Sequence, residues 1–270
     1  MKLSLSGRLF EVDYRYCELS IEDFVALAKD IGYRGVELRR TQVSPDTPPE
    51  EVARTGRTVE RAGLEVTCIT ARGVSLRDRE TFGLFRRYVD LARALGCKLM
   101  KVGGEVPWLR KAADYAAGYG ITLAANIHIR TPFETVSSAL ECLREVGRSN
   151  YRLIYDPAHL FVAGEEYGPG AIRKLADHIC YVAVQCPKKV SPKQGSLFYK
   201  GFAYGQGLPG EEGTPDLASV FRGLRQIGYG GWVSVVEPKR EGMDGRQLAR
   251  LFYERLIRTI EASETPEEKT

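Results

Sequence analysis

With 270 residues, 43% of them hydrophobic and 27% charged, the chain is long enough to bury a large core and polar enough to stay in water. Its formal net charge of +4 is spread over intermixed acids and bases, so the balance does not call for nucleic acid or a membrane surface as partner. No run of about 18 uncharged apolar residues offers a spanning helix, and "MKLSLSGRLFEVDYRYCELS" lacks the apolar stretch and cleavage site of a secretory signal, so a cytoplasmic location is expected. The six cysteines, Cys17, Cys68, Cys97, Cys142, Cys180 and Cys186, form no CxxC pair and lie mostly in apolar stretches, which favours reduced thiols over disulfides or a cysteine zinc site.

Taken in chain order, strands are predicted near 8–13, 34–38, 64–70, 97–102, 121–127, 151–156, 179–185 and 232–237, with helical patterns between and after them. A repeated joint sets the rhythm. Helical patterns end in Gly32, Gly63, Gly96, Gly120, Gly147 and Gly228, and a short apolar run follows each, because glycine accepts the left-handed backbone that ends a helix. Helix starts are expected at Ser20, at "TPPEE" over 47–51, at "TPFE" over 131–134 with Glu134 completing a capping box, and at "TPDL" over 214–217.

Eight strand–helix units in strict alternation predict a single closed (β/α)8 TIM barrel over residues 1–262, followed by an acidic, disordered tail at 263–270. The stretch 186–213 exceeds the usual loop length and reads as an irregular lid or binding loop. Its lysines Lys188, Lys189, Lys193 and Lys200, with Lys239 and Arg240 further on, leave an anionic substrate open beside a merely solvated basic loop.

In such a barrel the site lies where the strands end. Side chains alternate along a strand, so Ala124, Asn126 and His128 share one face, as do Ile154 with Asp156 and Ala183 with Gln185. If these faces point inward, Asn126, His128, Asp156, His159, Gln185 and Glu237 converge on one pocket. Two carboxylates among neutral oxygen and nitrogen donors suit Mg²⁺ or Mn²⁺ ahead of Zn²⁺ or Co²⁺, and such an ion stabilises an enediolate while a carboxylate moves the proton. Glu37 and Arg72, at the ends of the second and third predicted strands, are further candidates for substrate contact. Lys101 in "KLMKVGG" is another; a desolvated lysine there could form a Schiff base or serve in an ion pair.

The segments "LAKDIGYRGVEL" at 27–38, "TLAANIHIRTPFET" at 122–135, "LIYDPAHLFVAGE" at 153–165 and "LRQIGYGGWVSVVEP" at 224–238 together resemble the sugar phosphate isomerase/epimerase group of xylose-isomerase-like barrels. The resemblance runs over nearly the whole chain. It implies a divalent metal held by a glutamate, an aspartate, a histidine or glutamine and a second glutamate from the fifth to eighth strands, with the glutamates as acid and base. Asp156 matches the aspartate and His159 the histidine that follows it. Asn126 stands where the first glutamate is expected, Ala183 stands at the seventh-strand ligand with Gln185 two residues on, and Glu237 comes one residue late.

The implied activity is isomerisation or epimerisation of a small carbonyl sugar, keto-sugar or sugar phosphate. Glu237 would be its base, assisted by His159, with Asp156, Glu237, His159 and Gln185 as metal ligands and Asn126, His128, Gln185, Glu37, Arg72 and Lys101 as substrate contacts. The altered ligand set keeps open a metal-free barrel acting as a lyase, a dehydratase or a non-catalytic binding subunit. An endonuclease of the same fold would need many more than the three histidines present. Barrels of this group often pair, which leaves a homo-oligomer open.

Overall fold

The computed structural model describes residues 1–71, 79–240 and 242–263; Arg72 and the tail from 264 lie outside them. Eight parallel strands close into a barrel: β1 (Lys2–Ser6), β2 (Gly35–Leu38), β3 (Glu65–Thr70), β4 (Leu99–Lys101), β5 (Thr122–Asn126), β6 (Tyr151–Tyr155), β7 (Ile179–Val184) and β8 (Trp232–Val235). Each pairs with its chain neighbour, and β1 pairs with both β2 and β8 to complete the ring. Outside it run α1 (Ile21–Ile31), α2 (Pro49–Arg61), α3 (Arg79–Ala94), α4 (Val106–Ala117), α5 (Val136–Val146), α6 (Pro157–Ala163), α7 (Pro169–Leu175), α8 (Leu217–Gln226) and α9 (Gly245–Ala262). No helix among the described residues is long and apolar enough to cross a membrane.

Alternation along each strand separates two interiors. One parity, including Leu3, Leu5, Val36, Leu123, Leu153, Val182, Val233 and Val235, joins the helices in the main core. The other, including Leu99, Ala124, Ile154, Tyr181 and Ala183, fills the barrel itself.

Most of the punctuation reads true. All six glycines named above have positive φ, from 60° at Gly147 to 111° at Gly32. Ser20 Oγ accepts from Asp23 N at 3.1 Å and starts α1. Other starts shift by a few residues. Pro48, without a side-chain bond, precedes α2; Thr135 and Ser138 form the capping box of α5; and Asp216 caps α8. Glu134 accepts instead from Arg130 N at 2.7 Å, inside the preceding turn.

The first strand is the larger correction. "KLSLS" is β1, its serines facing the barrel and its leucines the helices, and the predicted strand at 8–13 begins inside a 3-10 turn, Gly7–Phe10, capped by Ser6. Two hydroxyls on the inward face disguise β1, whereas the apolar Leu9 and Phe10 advertise a strand that is a turn. The stretch after β7 is also more ordered than its composition suggests. Strands Pro187–Val190, Leu197–Tyr199 and Phe202–Gln206 form an antiparallel sheet, tightened by Lys200 (φ 44°) and Gly201 (φ 83°), a pair of left-handed residues that suits a hairpin.

Candidate functional site

Asp156 follows β6 and is fully buried, with its carboxylate entirely committed to neutral donors. Oδ1 accepts from the backbone N–H groups of Ala158 (3.1 Å) and His159 (3.4 Å), which makes Asp156 the N-cap of α6. Oδ2 accepts from Gln185 Nε2 at 3.0 Å and Asn126 Nδ2 at 3.4 Å. His159 Nε2 lies 3.7 Å from the same oxygen. Burial drives the His159 pKa down to about 4, with His128 and Lys101 reinforcing that fall and Asp156 opposing it, so the imidazole is neutral at ordinary pH.

His128 stacks on His159 with ring centroids 3.8 Å apart. Its Nδ1 is 2.7 Å from Ile129 O. A carbonyl oxygen only accepts, so Nδ1 carries the proton and the neutral ring keeps its lone pair on Nε2. His128, Asn126 and Lys101 line one cavity of about 740 Å³, the size of an ordinary small-molecule pocket. Hydrogen bonds join Asn126 and Gln185 to Asp156, with His159 and then His128 beside them; of these Asn126 and His128, with Lys101 from β4, line the cavity.

Lys101 is half-buried, and among the described residues its ammonium makes no hydrogen bond and no ion pair. Burial pulls its pKa down and Arg39 adds to that, while Glu37 and Asp156 act in the opposite sense. An ion-pair role is thus not its arrangement. Asn126 is unfinished in the complementary way, since its buried Oδ1 has no hydrogen-bond partner.

Two residues expected at the pocket are placed elsewhere. Glu37 sits deeper in the barrel, where Oε1 accepts from Ser6 Oγ (3.2 Å) and Oε2 from Ser234 Oγ (2.9 Å) and Tyr181 OH (3.4 Å). Sequence reasoning did not single out these hydroxyls; their inward parity was the available signal. Glu237 does not join Asp156. β8 stays in unbroken register with β7, so Val236 packs on the barrel interior and Glu237 takes the opposite parity. There Oε2 accepts from Cys186 N at 2.9 Å and Oε1 from Arg240 at 3.1 Å. Burial raises the Glu237 pKa against the pull of Arg240. Burial also pushes the Cys186 thiol well up, which makes it a poor nucleophile. Much of the basic loop is claimed too, with Lys188 on Glu211 (3.6 Å), Lys200 on Glu134 (3.3 Å) and Lys239 on Glu18.

The donor set does not fit a divalent ion, which corrects the expectation of Mn²⁺ or Mg²⁺ on Asp156, Glu237, His159 and Gln185. Among the described residues no three His, Cys, Asp or Glu side chains are placed so that they could hold a metal ion. Asn126 and Gln185 aim N–H groups, not oxygens, at Asp156. Turning Asn126 over would set its oxygen against the Asp156 carboxylate and Ile127 O, both acceptors, so the orientation is fixed.

The remaining question is kinship. Residues 25–256 match the family described as xylose isomerase-like TIM barrel. The chain belongs to that family. An inosose dehydratase of Geobacillus thermodenitrificans (strain NG80-2) is 27% identical over 139 residues, covering 49% of this chain and 45% of the relative. The chain thus spans about half the length of the curated relatives it matches. Among solved barrels of this shape, a D-psicose 3-epimerase determined in the presence of D-fructose superposes with a TM-score of 0.74 at 15% identity, covering 96% of this chain and 98% of that one. The IolI protein with a bound zinc atom gives 0.76 at 18%, covering 98% and 100%. At these identities the structural likeness speaks for the fold alone.

Proposed function

We propose that this barrel is an enzyme that moves a proton on the carbon beside the carbonyl of a small polyhydroxy ketone or aldehyde. The observation that carries this reading is the set of unfinished polar groups in one cavity: the unclaimed Lys101 ammonium, the His128 Nε2 lone pair and the partnerless Asn126 Oδ1. A carbonyl oxygen beside Lys101 gains a positive charge in a poorly solvated place, which lowers the cost of the enediolate. His128 Nε2 accepts the carbon-bound proton, with Nδ1–H anchored on Ile129 O, and the tilted ring contact with His159 holds the imidazole in place. Asn126 Oδ1 accepts from a substrate hydroxyl. Asp156 positions the pocket, since it orients Asn126 and Gln185 and starts α6.

Return of the proton to the neighbouring carbon would make an isomerase, and return to the other face an epimerase. Expulsion of a neighbouring hydroxyl from the enediolate would make a dehydratase. One finding favours that second reading: the curated relatives that the chain matches are inosose dehydratases. The test is proton NMR in deuterium oxide with a panel of ketoses, ketose phosphates and inososes. Deuterium entering beside the carbonyl supports the reading, and the product formed, rearranged sugar or unsaturated ketone, separates the two branches. No exchange across the panel would leave a binding subunit as the better account.

A further inference from the structure

We infer that the Lys101 ammonium is the positive charge of this site, and that the pocket binds an enediolate-like anion without metal. The inference rests on the proposed proton-transfer reading and deepens it. Among the described residues the charges in and below the mouth already balance: Asp156, Glu37 and Glu11 stand against Lys101, Arg39 and Arg8, with Glu37, Arg39 and Asp156 close enough to act on the lysine and Glu11 held by Arg39 at 3.1 Å and Arg8 at 3.4 Å. A divalent ion would leave two uncompensated charges among buried groups and would repel an ammonium, at a desolvation cost the neutral amides cannot offset.

The ammonium itself meets the requirements of an anion receptor. It ends a barrel strand, it lines the 740 Å³ cavity beside Asn126 and His128, and no described residue bonds to it. Glu37, the nearest alternative partner from below, spends its oxygens on Ser6, Ser234 and Tyr181. The carboxylate of Asp156 is likewise closed off by four neutral N–H donors, so neither acid captures the lysine. A ligand bearing two adjacent oxygens, one negatively charged, is the chemical class this leaves room for. Lys101 donates to the charged oxygen, and Asn126 Oδ1 accepts from the neighbouring hydroxyl.

Glycolate, an anion with a hydroxyl beside its carboxylate, is the probe. Calorimetry in excess chelator should show saturable binding to the wild type. Lys101→Met should weaken it by about tenfold or more, the worth of one charged hydrogen bond, while Lys101→Arg keeps most of it. Thermal melts of all three proteins confirm that they are folded, and added Mn²⁺, Mg²⁺, Co²⁺ or Zn²⁺ should shift none of them in a saturable, Asp156-dependent way. Failure of glycolate to bind in chelator, binding unchanged in Lys101→Met, or a divalent ion stabilising the wild type through Asp156 would each overturn the inference. Because no turnover is involved, these outcomes are independent of whether any tested sugar exchanges its proton.

Discussion

Asp156 and Glu237 are carboxylates just beyond the ends of two barrel strands, and burial does not distinguish them, at 0% and 1% exposed. Their surroundings do. Glu237 meets a fixed cation and a backbone amide and has nothing left to offer. Asp156 meets only neutral donors, and the cation in its neighbourhood, Lys101, is left without a partner. A pocket suited to chemistry is therefore marked by what its residues leave unpaired rather than by how deeply its acids are buried.

The comparison breaks most visibly at Lys101. In Lys101→Met the exchange rate of whichever carbonyl compound the panel identifies should fall by roughly a hundredfold to a thousandfold, the usual cost of losing one preorganised charge donor, with the melting temperature nearly unchanged. Equal exchange in wild type and variant would remove the distinction between the two regions. Arg240→Met should do the reverse, sparing the chemistry and costing roughly 3–5 kcal/mol of unfolding free energy at neutral pH, because a buried carboxylate loses its cation. The sign of its pH dependence follows from Glu237. Burial raises that pKa and Arg240 restrains the rise, so without Arg240 the acid takes up a proton more readily. The deficit should shrink as pH falls and be largest well above the folded pKa; denaturant melts at several pH values check this.

His159 sharpens the Asp156 side. Its pKa falls from 6.5 to about 4 on folding, so below pH 6.5 the unfolded chain binds the proton first and the native state loses stability down to about pH 4. That loss amounts to about 2–3 kcal/mol and should be missing from the pH profile of His159→Phe, which keeps the ring stacked on His128. The smallest effect is expected at Glu237→Gln, where exchange should change by no more than about twofold, less than half a kcal/mol in the barrier. A collapse of exchange in that variant would bring Glu237 back as the base.

Much of the barrel was legible because its cues are local. Gly32 or Gly147 needs only its own φ to end a helix, and parity alone puts Asn126, Asp156 and Gln185 on one side of the sheet. β1 was missed because its inward serines, Ser4 and Ser6, find their partners on other strands, Thr67 of β3 and Glu37 of β2. Glu237 was misplaced for a related reason. Its side depends on whether β8 carries a bulge, a property of its pairing with β7 and β1 rather than of "SVVEP" itself. The freedom of Lys101 was hidden more deeply, since it exists only because hydroxyls from three other strands occupy Glu37.

The cap that Asp156 places on α6 carries one last consequence. Two amides at the start of that helix depend on its Oδ1 whatever the cavity above is used for. Replacing the residue therefore costs architecture before it costs chemistry, and a dead Asp156 variant says nothing of the cavity until the helix beneath it is known to hold.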